Sequence, residues 1–294
     1  MRYQLYLGPR LYFSWSLAAY LMFEKFGLSQ MVDITILRPE TEAGVGPLLA
    51  RLAPARTLPT AVTPEGTVLS DSMAIAEELA SRHPEAALWP ADPAQRGLAR
   101  TLAAEMHAGF HGLRGRWPVN LRTGFAPQVP DAAVTGELER LETIWAAAHD
   151  RRAAEGPWLL GAYSLADAIF APMALRLAVY GFDTRPITRA YVATHLADRA
   201  VRRWRATALA TETALPAFEP DLPARPWPGP APRVAHAVAN GPAENATCPY
   251  SGRPVTHFMA MDGRVFGFCN PACRDKTVTD PAAWPAFMAI CGES

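Results

Sequence analysis

The four cysteines of the chain all lie at or beyond position 248, so thiol chemistry is confined to its C-terminal end. Cys248 precedes a predicted hairpin, "MAMDGRVFGF", and Cys269 and Cys273 follow it, which allows the three to converge on one metal ion. Three thiolates and a fourth ligand make a tetrahedral zinc site, with His257 and Cys291 as candidates for the fourth position. A cysteine nucleophile is excluded elsewhere, because residues 1–247 contain no cysteine.

A second set of reactive candidates lies near the N-terminus, in "YFSWSL" at residues 12–17. Ser14 and Ser16 follow a short strand-like run and open an apolar, helical pattern. Serines at such a position either cap the helix or present a hydroxyl to a ligand at its N-terminus. Tyr12 supplies a third hydroxyl close by. The residue types alone leave both interpretations open.

Composition excludes several classes of protein. The chain has 294 residues, of which 50% are hydrophobic, enough for two domains with real cores. Lys plus Arg and Asp plus Glu number 28 each, so there is no basic excess for nucleic acid or an anionic membrane. The sequence predicts neither a signal peptide nor a transmembrane helix. We therefore expect a cytoplasmic protein that binds no nucleic acid and no membrane.

Hydrophobic periodicity predicts an α+β multidomain protein in four parts. Residues 1–84 show short elements in the order βαβαββα, typical of a small mixed sheet with helices packed on it. Residues 91–212 carry only helical patterns, including one helix expected over 94–114, and predict an all-α bundle. Proline-rich residues 213–245 are expected to form an extended linker. Residues 246–294 form a cysteine-rich β-hairpin and helix module that is too small for a stable core without a metal.

Four short segments, in order, resemble the glutathione transferase family over roughly residues 1–212. They are "SWSL" after the first strand, "TLPTAV" (57–62), "SDSMAIAEELA" (70–80) and "GPWLLGAYSLADAIFAP" (156–172). The resemblance implies a thioredoxin-like, glutathione-binding domain followed by the family's all-helical domain. Ser164 and Asp167 are spaced as a capping box, with Asp in place of the usual Glu, and we assign them to structure alone.

The resemblance also implies how glutathione is held. Pro59 matches the family's cis-proline, so the main chain of Leu58 is expected to pair with the extended tripeptide like an added strand. Asp71 and Ser72 lie at a predicted helix N-terminus, where open N–H groups suit a carboxylate. We expect Ser72 to donate to the γ-glutamyl carboxylate and Asp71 to accept from its amine. Both residues could instead be plain helix caps.

The reaction expected from this family needs a thiolate near pH 7, whereas a free thiol has a pKa of about 8.5. A hydroxyl that donates to the sulfur at a helix N-terminus stabilises the thiolate. Ser14 matches the family position best and is the predicted catalytic residue, with Ser16 and Tyr12 as alternatives. Many bacterial relatives read Ser-Ser-Trp-Ser here, and this chain has Phe13 in place of the first serine.

The second substrate, a small hydrophobic electrophile, is expected beside "MHAGFHGLRGRW" (106–117), which carries two histidines and two arginines. Arg114 or Arg116 could meet an anionic group of that substrate or of glutathione. A solvated helix face explains the same pattern equally well.

The tail resembles the small cysteine-rich metal-binding modules of the YHS/TRASH type. The matching stretches are "CPYSG", "DGRVFGFC", "FCNPAC" and "DPAAW", and Thr277 stands where these modules usually have an aromatic residue. The resemblance implies that Cys248, Cys269 and Cys273 bind zinc or another thiophilic metal. The alternative is a reduced, metal-free mini-domain, since a structural disulfide is not expected in the cytoplasm.

The leading hypothesis is a glutathione transferase, homodimeric by family analogy, with an appended metal module. In it, Ser14 stabilises the thiolate that attacks the electrophile. One alternative is a glutathione-binding protein with weak catalysis that handles metal or acts as an interaction scaffold. Another is a glutathione-dependent isomerase or reductase.

Overall fold

The computed structural model describes residues 2–38 and 45–292 and divides the chain into two compact units. The first unit comprises Met1–His195 and Ala217–Pro228, and the second comprises Leu196–Pro216 and Gly229–Ser294. The predicted linker is therefore shared between the two units. None of the helices in the described ranges is long and apolar enough to cross a membrane.

The first unit begins with a four-stranded mixed sheet in the order β2-β1-β3-β4. Strand β1 (Tyr3–Leu7) pairs in parallel with β2 (Val32–Ile36) and antiparallel with β3 (Thr60–Val62). Strand β4 (Val68–Leu69) pairs antiparallel with β3. Alternate residues of β1 are buried, as expected for a strand with one face on a core.

Three helices complete the predicted βαβαββα order: α1 (Ser14–Glu24), α2 (Gly46–Arg51) and α3 (Ser72–Arg82). Gly27, just past the end of α1, has a φ of +74°, a left-handed conformation that glycine adopts without steric cost. The sequence predicts α2 as a short helix over 44–53, of which residue 44 lies outside the described residues. The sequence also predicts that Glu65-Gly66 joins the last two strands, and the structure confirms this turn, with Gly66 at a φ of +94°.

Five helices follow: α4 (Pro93–Ala108), α5 (His111–Arg116), α6 (Ala132–Asp150), α7 (Leu165–Val179) and α8 (Pro186–Ala197). Helix α7 is buried along almost its whole length, which fits the uniformly apolar sequence of a central helix. Its N-terminus carries the predicted capping box, because the Ser164 N–H donates to Asp167 Oδ2 at 2.8 Å.

The single helix predicted over 94–114 is wrong. The chain leaves the helix after Ala108, and Phe110 takes a left-handed φ of +58° before α5 begins. Arg114 Nη1 donates to the carbonyl oxygens of His107 and Gly109, at 3.1 Å each, and so satisfies acceptors that the interrupted helix leaves open. The break places the side chain of Arg114 back on the end of α4.

Part of the predicted linker is ordered on the first unit. Strand β6 (Ala224–Arg225) pairs antiparallel with β5 (Gly124–Phe125). Just beyond that pair, the Ala126 N–H donates to the Pro223 carbonyl at 2.8 Å. Arg225 Nη2 also donates to the Ala178 carbonyl at 2.8 Å. Proline has no N–H to donate to a neighbouring strand, but a two-residue edge strand needs no donor from the prolines that flank it.

The second unit contains a three-stranded antiparallel sheet of β7 (Ala235–Val238), β8 (His257–Met261) and β9 (Arg264–Phe268). The predicted hairpin is confirmed, with Asp262 and Gly263 at φ of +52° and +76° in its two-residue turn. Strand β7 lies in the proline-rich segment, where the sequence analysis predicted no strand.

Three helices pack with this sheet: α9 (Arg199–Thr211), α10 (Pro271–Thr279) and α11 (Pro285–Ile290). Their shared core is largely aromatic and sulfur-containing, and it includes Met259, Phe266, Phe268, Phe287 and Cys291, together with Ala206 from α9. Helix α9 therefore helps to build the core of the C-terminal module.

Candidate functional site

Ser14 is the first residue of α1, directly after the loop that leaves β1. Phe13 occupies the N-cap position, and its side chain makes no capping hydrogen bond. No N-cap side chain therefore competes with a ligand for the N–H groups of the first turn. Ser14 is half-buried. Its hydroxyl makes no hydrogen bond to any other residue in the described ranges.

The other two candidate hydroxyls are engaged. Ser16 is fully buried, and its Oγ accepts a hydrogen bond from the Gly8 N–H at 3.0 Å. Tyr12 is 5% exposed and donates its hydroxyl to the carboxylate of Glu219. Ser16 therefore anchors the loop after β1. Tyr12 anchors the segment Ala217–Pro228, which contains Glu219 and belongs to the first unit.

Glu219 gathers three donors around one carboxylate. Asn120 Nδ2 and Arg122 Nη1 donate to it at 2.9 Å and 3.0 Å, in addition to Tyr12. Burial favours the neutral acid, but these hydrogen bonds outweigh it and lower the pKa of Glu219. Phe218 stacks on the Tyr12 ring at 5.5 Å. Sequence analysis missed this cluster, and no local signal marks it, because Glu219 lies in a proline-rich stretch 207 residues from Tyr12.

Asp71 and Ser72 occupy the start of α3, as predicted. Asp71 is the N-cap residue, and its Oδ1 accepts from the Met73 and Ala74 N–H groups at 2.7 Å and 3.3 Å. Its second oxygen, Oδ2, lies 3.2 Å from His107 Nε2. The same imidazole places Nδ1 3.4 Å from the Ser72 hydroxyl. His107 therefore bridges both residues, a role that the sequence did not assign to it.

The Leu58-Pro59 peptide bond is cis, as the sequence predicted. Leu58 is half-buried and directly precedes β3. Its N–H and C=O make no hydrogen bond to any other described residue. An extended peptide could therefore pair with them without displacing a protein partner.

The two arginines predicted beside the second substrate, Arg114 and Arg116, differ in exposure and in their contacts. Arg116 is exposed and forms an ion pair with Asp131. The guanidinium of Arg114 instead lies over the Trp15 ring, 5.0 Å from its centroid. Trp15 also contacts the His107 ring at 5.3 Å between centroids. The structure thus gathers Arg114 and His107 around Trp15, next to Ser14, and leaves Arg116 outside this group.

The three predicted metal ligands also come together. The Sγ atoms of Cys248, Cys269 and Cys273 all lie within 4.8 Å of one another, and the Cys269–Cys273 distance is 4.0 Å. A tetrahedral zinc ion with Zn–S bonds of about 2.3 Å requires sulfurs about 3.8 Å apart, close to this spacing. Neither His257 nor Cys291 belongs to this group among the described residues.

Local donors favour ionised sulfur at Cys248, whereas burial raises the pKa of the Cys273 thiol to about 11. Burial raises the pKa of the Cys248 thiol, but main-chain N–H groups of Tyr250, Cys269 and Ser251 outweigh it and lower the pKa to about 7. The Ser251 hydroxyl and the Asn270 amide donate to Cys269 Sγ at 3.2 Å and 3.3 Å. These contacts fit a thiolate cluster, which is the donor set that a thiophilic metal prefers.

Comparison with known proteins bears on the first unit. Residues 14–82 match the family model of the glutathione S-transferase N-terminal domain. The chain is also 33% identical over 100 residues to a curated protein named probable maleylacetoacetate isomerase, from Caenorhabditis elegans. That match covers 33% of this chain and 46% of the relative, so the chain spans less than half of the relative's length.

Solved structures share the fold. A glutathione transferase homolog from Burkholderia gl BGR1, with bound glutathione, is 24% identical and has a TM-score of 0.52, covering 72% of this chain and 100% of that one. Glutathione transferase Omega 2S from Trametes versicolor is 21% identical with a TM-score of 0.54, covering 74% and 99%. The family match is thus confined to residues 14–82, and the solved structures share the fold of the chain, a thioredoxin-like domain followed by a helical one.

Proposed function

We propose that the protein is a glutathione transferase in which the Ser14 hydroxyl stabilises the glutathione thiolate for attack on a small electrophile. The observation that carries this proposal is the contrast among three hydroxyls. Ser14 has no hydrogen-bond partner in the described chain, whereas Ser16 binds Gly8 and Tyr12 binds Glu219. Ser16 accepts a hydrogen bond and is fully buried, so no ligand reaches its hydroxyl, and Tyr12 would have to give up its hydrogen bond to Glu219. Ser14 is half-buried and can turn its proton toward a sulfur without losing a contact.

The energetics of this role are modest. Lowering a thiol pKa from about 8.5 to about 7 takes about 2 kcal/mol of preferential stabilisation of the thiolate. A hydrogen bond to a charged acceptor contributes about 1.5–3 kcal/mol, so the Ser14 hydroxyl is sufficient in principle. The N-terminus of α1 adds a favourable dipole for the same charge.

The proposal assigns the remaining glutathione contacts to residues at the start of α3 and before β3. The main chain of Leu58, ahead of Pro59, pairs with the tripeptide backbone. Asp71 Oδ2 accepts from the γ-glutamyl amine, and Ser72 donates to its carboxylate. His107, which already bridges Asp71 and Ser72, orients both side chains and closes the site from the helical part of the first unit.

The test is a titration of the thiolate absorbance of bound glutathione in Ser14→Ala and in Tyr12→Phe. Ser14→Ala should raise the pKa of the bound thiol by about one unit and lower kcat/KM by about tenfold or more, since one unit corresponds to about 1.4 kcal/mol. Tyr12→Phe serves as the control and should leave that pKa unchanged. An unaltered titration in Ser14→Ala would remove Ser14 from this role.

Isomerisation is the closest alternative reaction, and the curated relative is named as an isomerase. In that reaction the thiolate adds to a double bond and is expelled after rotation, so glutathione is not consumed. Counting glutathione consumed per turnover separates the two reactions. The homodimer is likewise a proposal, tested by light scattering coupled to size-exclusion chromatography.

A second function, metal binding by the second unit, is favoured by the cluster of Cys248, Cys269 and Cys273. When bound, a zinc or other thiophilic ion would cross-link the segments that carry the three thiolates. The test is metal content by mass spectrometry and the thiolate-to-metal absorption of a cobalt-substituted protein. Replacing Cys269 by serine should abolish both signals, and Cys291→Ala should retain them. Equal signals in the two variants would reject the site.

A further inference from the structure

Arg114 presents an unused hydrogen-bonding edge. Its Nη1 is committed to the His107 and Gly109 carbonyls, which fixes the plane of the guanidinium. Its Nε and Nη2 donate to no other described residue. These two groups form the parallel pair of donors that binds a carboxylate in bidentate fashion. The side chain is half-buried, so a small ligand can reach it.

No carboxylate of the described residues forms an ion pair with Arg114. Burial lowers the pKa of Arg114, and Glu137 is the carboxylate whose charge opposes that shift. Both of its oxygens, however, accept hydrogen bonds from main-chain N–H groups, those of Gly112 at 3.0 Å and Leu113 at 2.7 Å. Within the described ranges no carboxylate lies within ion-pair distance of Arg114. Arg116, on the same helix, is by contrast paired with Asp131. A half-buried charge without a partner is unfavourable unless a ligand supplies the opposite charge.

A second cation increases the positive potential. Arg176 of α7 is 3% exposed, and its Nε donates to the Trp117 carbonyl at the end of α5, at 2.5 Å. Burial lowers its pKa to about 10, so the side chain stays protonated near pH 7. Arg176, like Arg114, has no ion-pair partner among the described residues. Within the described part of the chain, Arg114 and Arg176 therefore both lack an ion-pair partner, and they lie close enough for the charge of Arg114 to lower the pKa of Arg176.

That place adjoins the proposed reaction centre. The Arg114 guanidinium lies 5.0 Å from the centroid of the Trp15 ring, and Trp15 is the neighbour of Ser14 in the first turn of α1. The γ-glutamyl end of glutathione is assigned to Asp71 and Ser72. Because Asp71 and Ser72 already account for that end, Arg114 is left for a different anionic group.

We propose that the electrophilic substrate carries a carboxylate, which binds the Nε and Nη2 donors of Arg114. This inference rests on the proposed transferase function. In the reaction used to test it, the thiolate attacks the ring carbon that bears chlorine. A C–S bond forms, the C–Cl bond breaks, and chloride leaves with the electron pair. No oxidant or further reactant is needed.

The test compares 4-chloro-3,5-dinitrobenzoate with its neutral carboxamide in the full-length protein. The wild type should favour the benzoate in kcat/KM by about tenfold. Arg114→Gln should remove that preference by raising KM for the benzoate about tenfold more than KM for the carboxamide. Arg116→Gln, the matched control on the same helix, should retain the preference. Arg114→Lys keeps the positive charge but loses the two parallel N–H donors, so it should retain only part of the preference. This variant keeps the inference testable if Arg114→Gln does not fold.

Binding gives a readout that does not depend on turnover. Calorimetry with the glutathione conjugates of the two compounds should show the same preference and the same loss in the Arg114 variants. Failure of turnover with this binding preference intact would refute the transferase function and leave the carboxylate site standing. Equal binding of the two conjugates to the wild type would overturn the inference. If an Arg114 variant loses affinity equally for both conjugates and for glutathione itself, Arg114 binds glutathione instead. That result would also overturn the inference.

Discussion

Nε2 of His107 lies 3.2 Å from Oδ2 of Asp71, a contact that joins the end of α4 to the start of α3. The two oxygens of Asp71 are thereby divided between two tasks, since Oδ1 caps α3 through the Met73 and Ala74 N–H groups. In the neutral tautomer with hydrogen on Nε2, the imidazole donates to Asp71 and accepts at Nδ1 from the Ser72 hydroxyl. The proposed donation of Ser72 to the γ-glutamyl carboxylate would replace its hydrogen bond to Nδ1, because a hydroxyl has one proton to donate. One histidine therefore sets the orientation of both residues proposed to hold the γ-glutamyl group.

Replacing Asp71 by asparagine separates these tasks. Asparagine caps helices as well as aspartate does, so α3 should remain stable, while the negative charge that pairs with the γ-glutamyl amine is lost. We expect glutathione affinity measured by calorimetry to fall by about tenfold, the loss of one charged hydrogen bond. Asp92→Asn is the matched control, because Asp92 caps α4 in the same way, through the Gln95 N–H at 2.8 Å. An equal loss in both variants would contradict the assignment.

Ser16→Ala should act on stability and not through the thiol. Its Oγ is the acceptor for the buried Gly8 N–H, and alanine would leave that donor without a partner. A buried donor left unpaired costs about 1–3 kcal/mol in the free energy of unfolding. Urea denaturation should show this loss for Ser16→Ala and a much smaller one for Ser14→Ala. The reverse order would mean that the roles of the two serines are exchanged.

Many element boundaries could be predicted from the sequence because their signals are local. Asp71 and Asp92 precede helical patterns, Gly27 follows one, and the Asp262-Gly263 pair marks a two-residue turn. Each of these depends on the backbone preferences of a few neighbouring residues. The convergence of the three cysteines was predictable for the same reason, since a hairpin of known length brings its flanks together.

Other features depend on contacts between distant residues. Glu219 binds Tyr12, and no local pattern relates two residues so far apart. Helix α9 has an ordinary amphipathic sequence, which identifies a helix but not the surface that covers it. Only the structure shows that Ala206 joins the aromatic core of the C-terminal module.

The pairing of Arg202 with Asp280 should be a main support of the second unit. Arg202 Nε and Nη2 donate to the two carboxylate oxygens at 2.8 Å and 2.6 Å, and the side chains are 16% and 12% exposed. Asp280→Asn should lower the stability of this unit by about 2 kcal/mol, somewhat less than the cost of breaking a fully buried pair. Hydrogen exchange in α9 and α10 measures the effect.

The control for this experiment is Asp262→Asn. Asp262 pairs with Arg233, but its side chain is 53% exposed, so its loss should cost less than about 0.5 kcal/mol. Protection factors that fall equally in the two variants would show that the buried pair contributes no more than a surface one.

Asp167 makes the stability of the first unit depend on pH. It is fully buried, and burial raises its pKa from an ordinary 3.8 to about 6, although the Leu159 and Ser164 N–H groups and the Tyr191 hydroxyl all donate to it. Between about pH 4 and pH 6 the folded protein keeps a proton that the unfolded chain has released. The contribution of Asp167 to the free energy of unfolding therefore falls as pH rises through this window, and it stays low above it.

In Tyr191→Phe, the free energy of unfolding should continue to fall with pH beyond the range in which it falls for the wild type. Without the hydroxyl that donates to Oδ1 at 3.0 Å, the carboxylate is less stabilised and the pKa of Asp167 rises above about 6. The destabilisation of Tyr191→Phe relative to wild type should thus grow by about 1 kcal/mol between about pH 5 and pH 8, measured by urea denaturation. Tyr180→Phe is the control, because that buried hydroxyl donates to the Pro118 carbonyl at 2.8 Å, so its cost should not vary with pH. A Tyr191→Phe cost that is constant over this range would show that Asp167 does not titrate there.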